Sequence, residues 1–185
     1  LFMALFLGAA DRLLPDLAGV VPSRLALRLL TINVWSGLDY KGSLRFGTYE
    51  PRLTRQARYR SLLAQIRELA PDVIFMQEVN TAAGFSARLA RDLGFSHCHQ
   101  VCIGGIKLGP LGIPGNCKEG NAILARKSLR LEKLQDWKLS GSFGLFGDAL
   151  TIHFNQAIFA QLAQIFIDDR PIHLVNVHLV AVPPH

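Results

Sequence analysis

Apolar residues recur along the chain at two spacings, one typical of helices and one typical of buried strands. Between residues 54 and 70 they follow helical intervals, which predicts a helix that ends at Pro71. A second helix is predicted over 81–93. A largely apolar run at 26–34 and a wholly apolar run at 73–76 precede these helices and are typical of buried strands. Strands that alternate with helices predict an α/β fold.

The second half of the chain changes to strands and glycine-rich loops. Strands are predicted over 120–125, 129–139, 155–167 and 172–180, the last two joined as a hairpin by a turn at 168–171. Glycine-rich segments at 104–120 and 141–148 are predicted to be loops, and long loops in compact domains are often functional. No repeat or linker is present, so we expect one domain over 26–185, preceded by an apolar segment over 1–25.

Composition narrows the class of protein. The 185 residues are 50% hydrophobic and 18% charged, enough for one domain with a buried core, which excludes intrinsic disorder. Three cysteines are too few for a disulfide scaffold. No apolar run approaches the roughly 20 residues of a spanning helix, which excludes a polytopic membrane protein.

The N-terminal segment opens with an apolar run over 1–10 that Asp11 and Arg12 close. It is either the remnant of a signal or anchor segment or an amphipathic docking helix. Both interpretations allow contact with a membrane surface. They leave a cytoplasmic, a membrane-associated and an exported protein open.

The positive charge is concentrated in one stretch. The net charge is +6, and residues 45–67 contain six arginines but a single acid, Glu50. Such a stretch favours an anionic partner, either nucleic acid or a phospholipid surface. The alternative is the solvated face of a helix.

Three polar residues stand at the ends of predicted strands, where sheets collect functional sites. Asn33 offers an amide oxygen suited to Mg²⁺, or else closes a turn. Glu78 ends an apolar run, where a carboxylate is costly unless it binds a metal ion or forms a salt bridge. His178 shares an otherwise apolar strand face with Asn176, so both need partners, and a satisfied core histidine is the alternative.

Four segments, in this order, resemble the endonuclease/exonuclease/phosphatase superfamily. They are 27–35, 71–79, 119–126 and 174–179, and the Gln-Glu pair at 77–78 is the most specific feature. The resemblance covers most of the chain from about residue 26 onward. It implies a DNase I-like two-layer β-sandwich flanked by helices. The Asn-x-Trp at 33–35 and the run over 147–156 look closest to the neutral sphingomyelinase-like branch, although Gln156 stands where that branch tends to have lysine.

The resemblance also implies an activity and residue roles. We expect a hydrolase that cleaves a phosphodiester or phosphomonoester in nucleic acid or a phospholipid head group, with Mg²⁺ as cofactor and Mn²⁺ as the alternative. Glu78 and Asn33 would hold the metal ion, and His178 would contact the scissile phosphate. Asn121 and Asn176 are the candidate substrate-binding residues.

Two elements of the superfamily pattern are missing from the chain. The Asp-x-Asn and Ser-Asp-His elements, which supply water activation and leaving-group chemistry, do not occur after the strand that carries His178. We therefore expect a domain that is incomplete at the C-terminus and inactive by itself. The alternative is a non-catalytic fragment or adaptor that binds phosphorylated partners.

The sequence 97–102, His-Cys-His-Gln-Val-Cys, resembles a zinc cluster. Neighbouring side chains on a strand alternate between faces, and the usual second pair of ligands is missing. We therefore expect reduced thiols, without zinc or disulfides.

Overall fold

The computed structural model describes residues 26–38, 50–103, 118–141 and 157–179, together with the backbone of five short strands outside these ranges. The strands, in chain order, are β1 (Met3–Ala4), β2 (Leu29–Asn33), β3 (Val73–Val79), β4 (Phe95–Ile103), β5 (Ile106–Leu108), β6 (Leu111–Ile113), β7 (Glu119–Arg126), β8 (Glu132–Gly141), β9 (Gly144–Phe146), β10 (Thr151–His153), β11 (Ala157–Ile167) and β12 (Arg170–Val177). The helices described are α1 (Arg52–Leu69) and α2 (Ala82–Leu93), and a 3₁₀ turn spans Lys127–Leu129.

Two sheets form the body of the domain. The larger sheet has the order β1-β2-β3-β7-β4, and the smaller has the order β12-β11-β8. Strands β2 and β3 are parallel and α1 connects them, whereas β7 is antiparallel to both β3 and β4. Strands β8, β11 and β12 are joined by antiparallel pairing. Two further pairs, β5–β6 and β9–β10, are short antiparallel ribbons.

The larger sheet is covered on both faces because its central strands are apolar on both sides. Ile74 and Leu124 belong to the core cluster that includes Ile66 of α1 and Leu89 of α2. The opposite face packs against the smaller sheet, with Val73, Cys98 and Ile123 in one cluster with Ala163, Ile165 and Leu174. The layers therefore follow the order helices, larger sheet, smaller sheet, with the larger sheet in the middle, which confirms the predicted two-layer sandwich flanked by helices.

The periodic elements match their predictions closely. The helix predicted over 54–70 spans Arg52–Leu69, and its C-cap residue Ala70 is left-handed directly before Pro71. The second predicted helix spans Ala82–Leu93 and ends at Gly94, which has a φ of 72°. The buried strand predicted over 73–76 continues to Val79.

Turns and loops differ more from the predictions. The hairpin turn consists of Asp168 and Asp169 only, because Arg170 and Pro171 pair with Ile167 and Phe166 in the ladder. The prediction of a four-residue turn is therefore wrong for Arg170 and Pro171, which belong to β12. The segments 104–120 and 141–148 contain the short strands β5, β6 and β9, and also the start of β7, so they are not loops throughout.

Only two residues of the predicted N-terminal segment are described. Met3 and Ala4 are extended and pair antiparallel with Ile32 and Thr31 of β2. The rest of segment 1–25 lies outside the described residues. Within the described part of the chain, neither helix combines the length and apolar character needed to cross a bilayer.

Candidate functional site

The site begins at an irregularity in β3. The antiparallel ladder between β3 and β7 is regular up to the pair Met76–Ala122 and resumes only at Val79–Gly120. Between these pairs Glu78 adopts a left-handed backbone conformation, with a φ of 54°. A bulge of this kind re-aims a side chain out of the ladder. The Glu78 side chain is about one quarter exposed, at 26%, although the strand around it is buried.

Asn33 belongs to the neighbouring strand β2 and contacts Glu78. Asn33 ends β2 and lies opposite Gln77 in the parallel register. Its Nδ2 donates a hydrogen bond of 2.7 Å to Glu78 Oε1. Its Oδ1 accepts a hydrogen bond of 2.9 Å from the backbone N–H of Trp35, which fixes the orientation of the amide.

His178 reaches Glu78 from the other sheet. It follows the end of β12 directly, and its side chain is 28% exposed. Its Nε2 lies 3.6 Å from Glu78 Oε1, which places the two groups as an ion pair whenever the imidazole is protonated. Three predicted residues, separated by up to 145 positions in the sequence, therefore meet at one carboxylate.

Asn176 lies two residues before His178 and is buried, at 2% exposure. Its Nδ2 donates to the carbonyls of Met76 and Ala122, each at 3.0 Å. Its Oδ1 accepts a hydrogen bond of 2.9 Å from Gln77 Nε2. The structure therefore places Asn176 between the two sheets, beneath the site, with its amide bonded to β3 and β7.

Asn121 is also buried, at 2% exposure, in the middle of β7. Its Nδ2 donates a long hydrogen bond of 3.5 Å to the carbonyl of Phe159 in the smaller sheet. Among the described residues, no hydrogen bond joins Asn121 to Asn33, Glu78 or His178. The structure brings those three together and leaves Asn121 in the interior.

A partly buried ion pair supports the loop that follows Asn33. The Arg58 guanidinium pairs with Glu50, whose side chain is only 5% exposed, and also donates to the carbonyl oxygens of Val34 and Trp35. The same guanidinium lies over the Trp35 ring, 5.1 Å from its centroid. The sequence patterns did not identify this role of Arg58 and Glu50. The signal that could have indicated it is that Glu50 is the single acid in the arginine-rich stretch.

The arginine-rich stretch is accordingly used in two ways. Arg58 supports the site, whereas Arg52, Arg55 and Arg60 are exposed along α1. Arg67 donates to the carbonyl of Asp92 at 3.0 Å, which ties α1 to α2. The described part of the stretch is thus largely a solvated helix face with one internal arginine, and the exposed Arg55 also pairs with Glu50, with its Nε 3.8 Å from Glu50 Oε1.

Strand alternation separates the histidines and cysteines of the segment 97–102. His97 lies near α2, where its Nδ1 is 3.2 Å from Ser86 Oγ, whereas Cys98 receives a hydrogen bond from Gln161 of the smaller sheet. Cys98 and Cys102 are free and buried. Burial raises the pKa of the Cys98 thiol to about 11 and that of the Cys102 thiol to about 12. Burial, and then repulsion from the neighbouring His99, lowers the pKa of His97.

The donor atoms around Glu78 suit a hard divalent ion. Glu78 Oε2 accepts no hydrogen bond from the described residues, and Asn33 Oδ1 keeps a second lone pair beside the one that Trp35 occupies. No group of three or more histidine, cysteine, aspartate or glutamate side chains placed to hold a metal ion occurs in the described ranges. The residues therefore fit an ion bound through one carboxylate and one amide oxygen, of the kind that keeps several waters.

The sequence of the chain matches a known family over most of its length. Residues 30–162 match the model of the Endonuclease/Exonuclease/phosphatase family. A comparison with curated proteins finds no match.

Solved structures resemble the chain in fold. The human Nocturnin catalytic domain with bound sulfate is 18% identical with a TM-score of 0.50, over 84% of this chain and 51% of that one. A humanized D. rerio TDP2 is 17% identical with a TM-score of 0.49, over 83% and 47%. ANGEL2, a 2',3'-cyclic phosphatase, in complex with adenosine-2',3'-vanadate, is 16% identical with a TM-score of 0.48, over 82% and 41%.

At these identities the likeness shows the fold alone, and it confirms the predicted DNase I-like architecture. The chain spans about half the length of these structures or less.

Proposed function

The chain belongs to the endonuclease/exonuclease/phosphatase family, and on that premise we propose that it hydrolyses a phosphodiester or phosphomonoester with a divalent metal ion at Glu78. The family consists of metal-dependent phosphodiesterases and phosphatases. The chain spans about half the length of the solved structures, so we propose this activity for the whole protein.

One observation carries the proposal, which is the convergence on Glu78 Oε1. An amide from β2 and an imidazole from beyond β12 reach the same carboxylate, at 2.7 Å and 3.6 Å. A strained backbone and a partly buried carboxylate are costly to maintain, and such costs concentrate at functional sites. The convergence therefore supports a catalytic centre over an incidental salt bridge.

In this proposal Glu78 and Asn33 hold the metal ion through their side-chain oxygens, with Mg²⁺ preferred and Mn²⁺ as the alternative. When bound, such an ion offsets the negative charge that develops on a phosphate oxygen. Asn33 has a second role, because its Nδ2 holds Glu78 Oε1 and leaves Oε2 directed elsewhere. The loop with Arg58 and Glu50 keeps Asn33 in place through the Trp35 backbone.

His178 contacts the scissile phosphate in the proposed mechanism. Its Nε2, 3.6 Å from Glu78 Oε1, would donate a hydrogen bond to a phosphate oxygen beside that carboxylate. Asn176 acts as a positioning residue, because its buried amide anchors the end of β12 that carries His178. We assign Asn121 no direct contact with substrate, since it lies in the interior of the sandwich.

Glu78→Gln tests the proposal with little change in shape. In the whole protein, we expect the variant to lose Mg²⁺-dependent hydrolysis of bis(4-nitrophenyl) phosphate and 4-nitrophenyl phosphate by about 100-fold or more, because the amide cannot supply the carboxylate charge. Mn²⁺ affinity, measured by electron paramagnetic resonance, should fall in parallel. Glu68→Gln, on the exposed face of α1, is the matched control and should change neither quantity.

The same experiment separates the enzyme from the alternative function. A chain that binds phosphorylated ligands with unchanged affinity after Glu78→Gln, and that shows no Mg²⁺-dependent turnover, would be the predicted adaptor. Loss of hydrolysis in Glu68→Gln as well would contradict a special role for Glu78.

Nucleic acid and a phospholipid head group are both candidate substrates. A phospholipid substrate would correspond to the neutral sphingomyelinase-like branch. Binding of nucleic acid should weaken steeply with salt, whereas micelle-dependent activity should not. Contact of the N-terminal segment with a membrane surface would accompany the lipid substrate.

A further inference from the structure

Trp35 is an exposed aromatic residue directly beside the candidate metal ligands. Its side chain is 42% exposed, while Val34 and Ser36 on either side are buried. Its backbone N–H is bonded to Asn33 Oδ1, so the ring is attached to the residue that holds Glu78. The mechanism proposed above gives this ring no task.

The position of Trp35 is held from three sides. Its backbone is left-handed, with a φ of 55°, and its carbonyl accepts a hydrogen bond of 3.1 Å from Arg58 Nη1. The Arg58 guanidinium lies over the ring, and Glu50 fixes the guanidinium in turn. A ring held in this way loses little conformational entropy when a ligand stacks on it.

The surroundings of Trp35 favour a charged, planar ligand over an acyl chain. The described side chains that bond to Trp35 or stack on it are polar, namely Asn33 and Arg58. Along α1, exposed Arg52 and Arg55 continue from Arg58 at three-residue intervals, so neighbouring arginines lie on adjacent turns. Arg55 and Arg58 both pair with Glu50, and the three guanidinium groups together still exceed that single carboxylate in charge. Such an arginine track beside an aromatic ring is the combination that binds unpaired nucleotides.

We propose, resting on the function proposed above, that Trp35 stacks an unpaired nucleobase and that the substrate is therefore a single-stranded nucleic acid. The arginines of α1 bind the sugar–phosphate backbone, and the stacked base sets the position of an adjacent phosphate at Glu78 and His178. A stacking platform accepts every base, so the expected preference is for single strands rather than for a sequence.

The two tryptophans of the chain, Trp35 and Trp137, allow a direct test. In a Trp137→Phe background Trp35 is the sole tryptophan, so selective tryptophan excitation reports on Trp35. We expect a ten-residue oligothymidylate to quench this fluorescence, and an abasic strand of equal length and charge to leave it unchanged. Trp35→Leu should weaken binding of the base-bearing strand by about 5- to 150-fold, the equivalent of ~1–3 kcal/mol for one stacked base, with Trp35→Phe in between.

Three results would overturn the proposal. They are equal quenching by the abasic strand, affinity for oligothymidylate that survives Trp35→Leu, and quenching by phosphatidylcholine or sphingomyelin vesicles in place of the oligonucleotide. The Glu78→Gln variant keeps this test separate from the proposed hydrolysis. Its base-dependent quenching should persist whether or not turnover depends on Glu78.

Discussion

Tyr59 shows how one side chain ties the two helices together. Its ring is buried in the helix-side core, and its hydroxyl donates a hydrogen bond of 2.6 Å to Asp92 Oδ2 of α2. The Arg88 guanidinium lies 3.8 Å from the centre of the same ring. Burial, followed by the hydrogen bond to Asp92, raises the pKa of Tyr59 to about 12.

We expect Tyr59→Phe to lower the free energy of unfolding by about 1–3 kcal/mol, because a hydrogen bond to a charged acceptor is lost. Urea denaturation followed by circular dichroism measures the change. Asp92→Asn is the matched variant, and it should cost less because the amide oxygen still accepts the bond. Equal stability of Tyr59→Phe and the parent protein would contradict the assignment.

The same hydroxyl gives stability a pH dependence. The folded state favours the neutral phenol, so its contribution is complete below pH 10 and is lost as the pH rises from about 10 towards 12. Tyr59→Phe should therefore lie closer to the parent protein in stability at pH 11 than at pH 8.

Among the elements, β3 and β12 together build the site. The bulge in β3 leaves the carbonyls of Met76 and Ala122 near the interrupted part of the ladder, and the Asn176 amide bonds both. Buried carbonyls need partners, so the side chain from β12 compensates for the break that frees Glu78.

We expect Asn176→Ala to cost about 3 kcal/mol or more of stability, because two carbonyls and the Gln77 amide lose a partner in the interior. It should also reduce Mg²⁺-dependent turnover, since it loosens the strand that carries His178. Thermal denaturation and the 4-nitrophenyl ester assay measure the two effects. His173→Ala, exposed on the same strand, should change neither.

Asn176→Asp distinguishes positioning from general damage. The variant keeps an acceptor for Gln77 but places carboxylate oxygens against two carbonyls, so it should be at least as destabilising as alanine. An Asp variant with parental stability would show that the amide does not hold the two strands.

Sequence reasoning succeeded where the signal is local and periodic. Helix α1 and the strand that carries Glu78 follow from the spacing of apolar residues, and the resemblance added expected roles for Asn33 and His178, which stay predictions. It placed Asn176 on an apolar strand face but could not name its partners, and both expected substrate-binding residues, Asn121 and Asn176, are 2% exposed and bonded to neighbouring strands. Their partners come from strands dozens of residues away.

Arg58 illustrates a second limit. In the sequence it is one of six arginines in a basic stretch, and nothing local separates it from Arg55 or Arg60. Its role depends on Glu50 and on carbonyls of the loop after β2, which the fold brings together across 8 and 24 residues.

For the molecule as a whole, the two described cysteines report on the integrity of the sandwich. Cys98 packs between the sheets and Cys102 lies in a smaller cluster with Ala157 and Phe159. Their raised pKa values, about 11 and about 12, keep both thiols protonated at neutral pH. The described ranges contain no disulfide that would compete with labelling.

We expect both thiols to react with Ellman's reagent at pH 8 at least about 100-fold more slowly in the folded protein than in 6 M guanidinium chloride, because only the thiolate reacts. A Cys117→Ser background removes the cysteine outside the described residues. Rapid labelling of Cys98 alone would show that the sheets separate without global unfolding. Since folding favours the protonated thiols, their stabilising effect should fade as the pH rises above about 9.

The bulge in β3 also makes chain length, and not only side-chain identity, a condition for this site. Deleting one residue between Met76 and Val79 would let the ladder run on without interruption and would remove the position from which a carboxylate leaves it. Substitutions among the apolar residues of the surrounding strands have to preserve volume, whereas every deletion here shifts the frame of the site. A single-codon deletion at 77 or 78 should therefore abolish Mg²⁺-dependent hydrolysis in the whole protein and still leave a folded sandwich, which circular dichroism would show.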